Sequence, residues 1–124
     1  MENEMSVPRI NNSEYRFCEI LWDNEPVSSA ELVRLCNEKL EWKKSTTYTV
    51  IRRLTDRGVI RSENTIVTSI ISREEARRAE SVELIDKSFG GSLAGFVAAF
   101  AESRELSEKD IREIQSLIDA YNRK

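Results

Sequence analysis

Between Lys43 and Arg61 the chain reads KKSTTYTVIRRLTDRGVIR, with six basic residues against a single acid, Asp56. The whole protein carries 19 basic and 22 acidic residues, a formal net charge of −3. A cationic excess this local, inside an acidic chain, is an electrostatic footprint for phosphate. Helical spacing turns Thr47, Val50, Ile51 and Leu54 inward and leaves Thr46, Tyr48, Thr49, Arg52 and Arg53 on the opposite face, with Ser45 at the helix start. Hydroxyls on that face can donate to or accept from base edges, threonine methyls can touch a thymine methyl, and arginine can grip guanine with two nitrogens. Lys43 and Lys44 suit phosphate, Tyr48 reaches a phosphate or sugar, and Arg61 at a strand start can meet the backbone of a duplex. Arg53 has a competing role as partner of an acid on a neighbouring helix. The expectation is a helix that enters a DNA groove.

Other reactions find little support. The chain has no histidine, which removes the commonest general base and metal ligand, and it contains neither a Walker loop nor a GxGxxG. Cys18 and Cys36 form no CxxC or CxC pair and fall where helical periodicity wants apolar residues, so both read as small buried hydrophobes. No enzyme activity, metal or cofactor is expected. No apolar run approaches the roughly 20 residues of a membrane span. The opening MENEMSVPRINN lacks the basic and apolar parts of a secretory signal, so a cytoplasmic protein is expected, without membrane insertion.

The elements that hold the cationic helix are legible from their caps. INNSEYRFCEILWD reads as a first helix, with Asn11 and Glu14 as a capping box, Ile10 stapled onto Tyr15, and Phe17, Cys18, Leu21 and Trp22 as its apolar stripe. DNEP ends it. Ser28 and Glu31 open a second helix with a capping-box pair; Leu32, Cys36 and Leu40 face inward and Leu35 lies at the edge. Trp42 plugs the core, Ser45 caps the third helix, and Arg57-Gly58 stops it. VIRSE and TIVTSII then read as a two-stranded hairpin turning at Glu63-Asn64. Three helices followed by a hairpin is the order of a winged helix-turn-helix domain, assigned to residues 1–71.

Residues 72–124 are helical again. Ser72 with Glu75, and Ser107 with Asp110, are capping boxes, and Leu106 can staple onto Ile111. Ala76, Ala79, Leu84, Ile85 and Phe89 share one side, Gly90-Gly91 breaks the helix, and Leu93, Phe96, Val97 and Phe100 repeat at helical spacing. Ile111, Ile114, Leu117, Ile118 and Tyr121 form a last seam. About 50 residues close a core of their own with difficulty. The economical solution packs Leu84, Ile85, Phe89, Leu93, Phe96, Val97, Phe100, Ile111, Ile114 and Ile118 against a second copy, making a two-fold homodimer. The fold class is thus mainly α with a small β-hairpin (α+β), a winged domain plus a C-terminal helical dimerisation region.

Four stretches, EYRFCEILW, PVSSAELVRL, WKKSTTYTVIRRLTDRGVI and FGGSLAGFVAAFAESRELSEKDIREIQSLI, resemble the penicillinase-repressor family of methicillin-resistance and β-lactamase repressors. The resemblance runs from about Ile10 to the C-terminus, and the last stretch is its most specific part. It implies a homodimeric transcriptional repressor on a palindromic operator of double-stranded DNA. It also implies a membrane sensor protease as inactivating partner, with cleavage in the dimerisation segment, here between Ala99 and Phe100. The chain departs from the family in carrying Ala99 where the family has asparagine, and in a shorter wing without a glycine-arginine tip. The wing's Glu63-Asn64-Thr65 is not basic, so the helix is expected to carry recognition. The alternative reading, compatible with the overall acidity and the non-basic wing tip, is a winged-helix module that docks a protein without specific DNA binding.

Overall fold

The computed structural model describes residues 7–124; residues 1–6, part of the segment read as lacking a secretory signal, lie outside the described residues. The element order is α1 (Asn12–Asn24), β1 (Val27–Ser28), α2 (Ser29–Leu40), α3 (Lys44–Asp56), β2 (Ile60–Glu63), β3 (Ile66–Ser69), α4 (Arg73–Phe89), α5 (Leu93–Ser103) and α6 (Glu108–Asn122). This is the expected mainly helical winged helix-turn-helix, followed in the chain by further helices. The chain divides into two compact units, one up to Ser81 and one from Val82 to Lys124.

In the first unit, α1 starts where its cap dictates. The Asn11 side chain accepts from the Glu14 N–H, and the Glu14 carboxylate accepts from the Asn11 N–H, a complete capping box. Asn11→Ala removes half of that exchange and is expected to cost about 1 kcal/mol. Thermal melting of the variant against the parent chain measures it.

Helix α2 departs from its expected cap. Ser28 accepts from the Glu31 N–H, but the Glu31 carboxylate is taken by Arg34 at 2.6 Å, one turn on, so only half of the box forms. Leu32, Leu35 and Cys36 are buried and Leu40 only partly, which moves Leu35 from the edge to the core. Glu41 ends α2 in the left-handed region at φ 59, and the Asn37 amide donates to the Trp42 carbonyl, closing the turn into α3.

That turn also corrects the start of α3. The helix begins at Lys44 with Lys43 as N-cap, which makes no side-chain cap hydrogen bond, so Ser45 lies inside the first turn and does not cap it. The left-handed Glu41 brings the chain round early, and the helix begins before the serine is reached. At the other end Gly58 takes φ +78, a conformation other residues adopt with strain, and the chain leaves into β2.

The sheet has three strands in the order β1-β3-β2, all antiparallel, where a two-stranded hairpin was expected. Val27 pairs with Val67 and Ser28 with Ile66, so the two residues before α2 supply the third strand. The turn is also one residue later than read: Glu63 pairs with Ile66, and Asn64 and Thr65, both at positive φ (53 and 64), form the connection. A two-residue hairpin turn with both central residues left-handed matches the natural twist of the strands. Glu25, the residue after α1, accepts from both the N–H and the hydroxyl of Ser69, at 2.6 and 2.8 Å, pinning the end of β3 to α1.

The core gathers Phe17, Leu21, Leu32, Leu54, Val59, Ile60 and Val67, each essentially without exposure. Trp42 stacks on Phe17 with ring centroids 6.3 Å apart, the plug expected of it. Cys18 and Cys36 are buried free thiols. Burial, reinforced by the Glu14 carboxylate, pushes the Cys18 thiol up to about 12, which leaves it without thiolate at neutral pH. The Thr47 hydroxyl, fully buried, is the one such side-chain atom among the described residues with no hydrogen-bond partner.

The first turns of α4 belong to this unit. Ser72 and Glu75 exchange both capping hydrogen bonds, as expected. The Trp22 indole donates to the Ile71 carbonyl at 3.0 Å, and Arg73 pairs with Asp23 at 2.7 Å while lying over the Trp22 ring. Ala76 is buried.

In the second unit the chain is helical throughout its three segments. Gly90 and Gly91 both take positive φ, and the Gly91 N–H donates back to the Ile85 carbonyl, so the break falls where expected. Ser92 caps α5 through the Gly95 N–H, a cap the sequence reading did not assign. Phe89 and Phe96 meet edge-to-face at 5.4 Å across the turn. Ser107 and Asp110 complete the capping box of α6. Neither α5 nor α6 contains a buried residue.

Candidate nucleic-acid interface

Helix α3 is amphipathic in the way its sequence demands. Thr47, Val50, Ile51 and Leu54 are buried, and Ser45, Thr46, Tyr48, Thr49, Arg52 and Arg53 are exposed. The inward residues anchor the helix to α2 and β2, so the outward residues stand on a rigid element, and rigid placement is what base reading requires. Thr46 and Thr49 are one turn apart on the exposed face, beside Lys43 and Lys44 at the N-terminal end. The helix N-terminus adds its own partial positive charge there.

The cations do not all behave alike. Among the described residues Lys43, Lys44, Arg52 and Arg61 take part in no ion pair, so their charge is available to a ligand. Arg53 takes the competing role: its Nε lies 3.8 Å from the Glu14 carboxylate, although the side chain stays more than half exposed. Arg57 joins it, donating to the other oxygen of Glu14 at 2.5 Å. Glu14 itself is only 1% exposed. Arg61 is exposed on β2, next to a wing tip of Glu63, Asn64 and Thr65 that adds no positive charge.

Glu14 and Arg57 are the two residues that sequence reasoning missed here. The capping box accounts for only one contact of Glu14, which stands at i with Phe17, Cys18 and Leu21 at i+3, i+4 and i+7. An acid on the buried stripe of a helix needs a cationic partner. Read that way, the spacing would have directed attention to an arginine elsewhere in the chain.

The expected dimerisation residues lie at or near the surface. Leu93 is 65% exposed and Leu84, Phe100, Ile111, Ile114 and Ile118 are also exposed; Ile85, Phe89, Phe96 and Val97 are half-buried. With Leu117 and Tyr121, more than 70% exposed, this is a far larger apolar surface than scattered single residues account for. The Ala99–Phe100 bond lies within α5, with Ala99 half-buried and Phe100 exposed beneath the Arg104 guanidinium. No group of three or more potential metal ligands occurs among the described residues, and no single helix there is long and apolar enough to cross a membrane.

Comparison with known proteins agrees with this architecture. The chain is 27% identical over 119 residues to a penicillinase repressor of Staphylococcus aureus, covering 93% of this chain and 94% of that one. It is 25% identical over 114 residues to the methicillin resistance regulatory protein MecI of the same species, covering 89% and 93%. A penicillinase repressor of Bacillus licheniformis is 21% identical over 123 residues, covering 95% and 96%. The sequence profile of the penicillinase repressor family matches residues 10–120. A match over nearly the whole length, on a winged helix followed by an apolar helical region, establishes that the chain belongs to the penicillinase repressor family.

Proposed function

We propose that the chain is a homodimeric transcriptional repressor, acting in the cytoplasm, that binds a palindromic operator through α3 of each subunit. The observation that carries this reading is the division of α3: four side chains locked in the core, and hydroxyls flanked by unpaired cations turned outward. Thr46 and Thr49 read base edges, Ser45 and Tyr48 support them, and Arg52 is the arginine free for guanine or phosphate. Lys43, Lys44 and Arg61 set affinity through the backbone. The names of its relatives, penicillinase repressor and methicillin resistance regulatory protein, support repression as the outcome of binding.

Replacing Thr46 and Thr49 by alanine is expected to reduce discrimination between operator and random duplex by about 1–3 kcal/mol per lost base contact. Replacing Lys43 and Lys44 is expected to weaken both duplexes alike and flatten the salt dependence. Fluorescence anisotropy at two salt concentrations, with the gene's own upstream region as operator, separates the two effects. If the parent chain binds neither duplex at either salt, the protein-docking reading takes over.

Release of the operator by a sensor protease, with cleavage between Ala99 and Phe100, is the family's route carried onto this chain. That bond is helical here, and proteases cut extended backbone, so cleavage requires α5 to open first.

A further inference from the structure

We infer that Arg53 and Arg57, oriented by the buried Glu14, form a second phosphate seat at the far end of α3, opposite the one made by Lys43 and Lys44. The inference rests on the DNA-binding reading and adds to it a site on the other wall of the groove. Helix α3 carries lysines at its start and Arg57 at its C-cap. At 1.5 Å per residue the thirteen steps from Lys44 to Arg57 span roughly 20 Å, while a major groove is about 12 Å wide. A helix of that length laid across the groove can reach both walls, and a cation at its far end would then meet phosphate.

The arginines are built for that task and not merely spent on Glu14. Glu14 lies on the same stripe as Phe17, Cys18 and Leu21 and is 1% exposed, whereas the Arg57 and Arg53 side chains are 40% and 55% exposed. Arg57 meets the carboxylate through one terminal nitrogen, at 2.5 Å, and Arg53 approaches it through Nε at 3.8 Å. A guanidinium has five N–H donors in a rigid fork, so each keeps donors for a second anion while the carboxylate fixes its plane. Two arginines face the single carboxylate of Glu14, and Asp56, exposed one residue before Arg57, forms no ion pair with either of them among the described residues. Glu14 sits in the first turn of α1, whose end carries partial positive charge of its own. Glu14 is thus a positioning residue, and the two arginines are the contacting ones.

The test compares the full-length parent with Arg57→Ala, Arg53→Gln and, as reference, Lys43→Ala with Lys44→Ala, measuring operator and random-duplex affinity across a salt series. Each arginine variant is expected to lower both affinities by the same factor. Each should also reduce the slope of log affinity against log salt by about 2 for the dimer, one phosphate per subunit. Arg57→Lys keeps the charge and the pairing with Glu14 but has one nitrogen in place of a fork, and is expected to fall between the parent and Arg57→Ala. If Arg57→Ala melts earlier yet keeps the parent's salt slope, the arginine is only an anchor for α3 and the seat does not exist. Arg53→Gln decides the matter should Arg57→Ala fail to fold, because its side chain is the more exposed and the less tightly paired. Flattening by the lysine pair with none from either arginine overturns this inference and leaves the DNA-binding reading standing. Absence of DNA binding by the parent overturns both.

Discussion

Ile114→Glu together with Ile118→Glu is expected to turn the protein into a monomer and to weaken operator binding by about 10²–10⁴-fold. Both side chains are exposed on α6, so the substitutions leave the core untouched and should not change helical content. In the proposed dimer they change the surface offered to a second copy, where a charge at a two-fold seam would meet its own image, unpaired and desolvated. Each winged unit would then find its half-site alone, and the gain from tethering two contacts is lost. Sedimentation equilibrium and anisotropy on the same preparation measure both quantities. A double variant that still sediments as a dimer would move the interface away from α6. One that is monomeric yet keeps full affinity would mean that a single winged unit suffices.

Phe17→Ala is expected to have the largest effect on stability, about 3–5 kcal/mol. The ring has no exposure and stacks on Trp42, so its removal takes away apolar burial and leaves the indole facing a void. Domains of this size hold roughly 5–15 kcal/mol in total, and each kcal/mol moves their melting temperature by about 4–8 °C. A fall of at least about 12 °C should therefore appear in a thermal melt followed by circular dichroism. Trp42 lies in the segment that leads into α3, so DNA binding should fail at the same temperature as the fold. A shift under about 5 °C would show that the neighbouring side chains close the cavity.

The elements legible in the sequence were those whose signals are local. Asn11 with Glu14, Ser72 with Glu75, and Ser107 with Asp110 each satisfy backbone groups three residues away, and each helix starts where its pair lies. The two faces of α3 were legible for the same reason, because helical period alone separates Thr47 and Val50 from Thr46 and Thr49. What escaped depends on partners distant in the chain. Strand β1 is two residues long, too short for any alternation, and exists only because Val67 and Ile66 lie beside it. The start of α3 was misread at Ser45 because the left-handed Glu41, not a side-chain cap, sets where the helix begins. Glu14 and Arg57 are 43 residues apart, and neither announces the other. Thus the reading face of the candidate site was legible, and the buried charge behind it was not.

Ser28 occupies two structures at once. As N-cap it holds the first turn of α2, and as part of β1 it pairs with Ile66, while the neighbouring Ser29 N–H donates to the Thr65 carbonyl in the hairpin turn. Wing and helix are therefore not two parts joined by a flexible connection; they share a residue. Moving the hairpin away from α2 breaks the pairing of Ser28 with Ile66 and the Ser29 hydrogen bond to Thr65, so the hairpin is fixed to the start of α2, and in the proposed DNA complex it would be a rigid stop and not a searching arm.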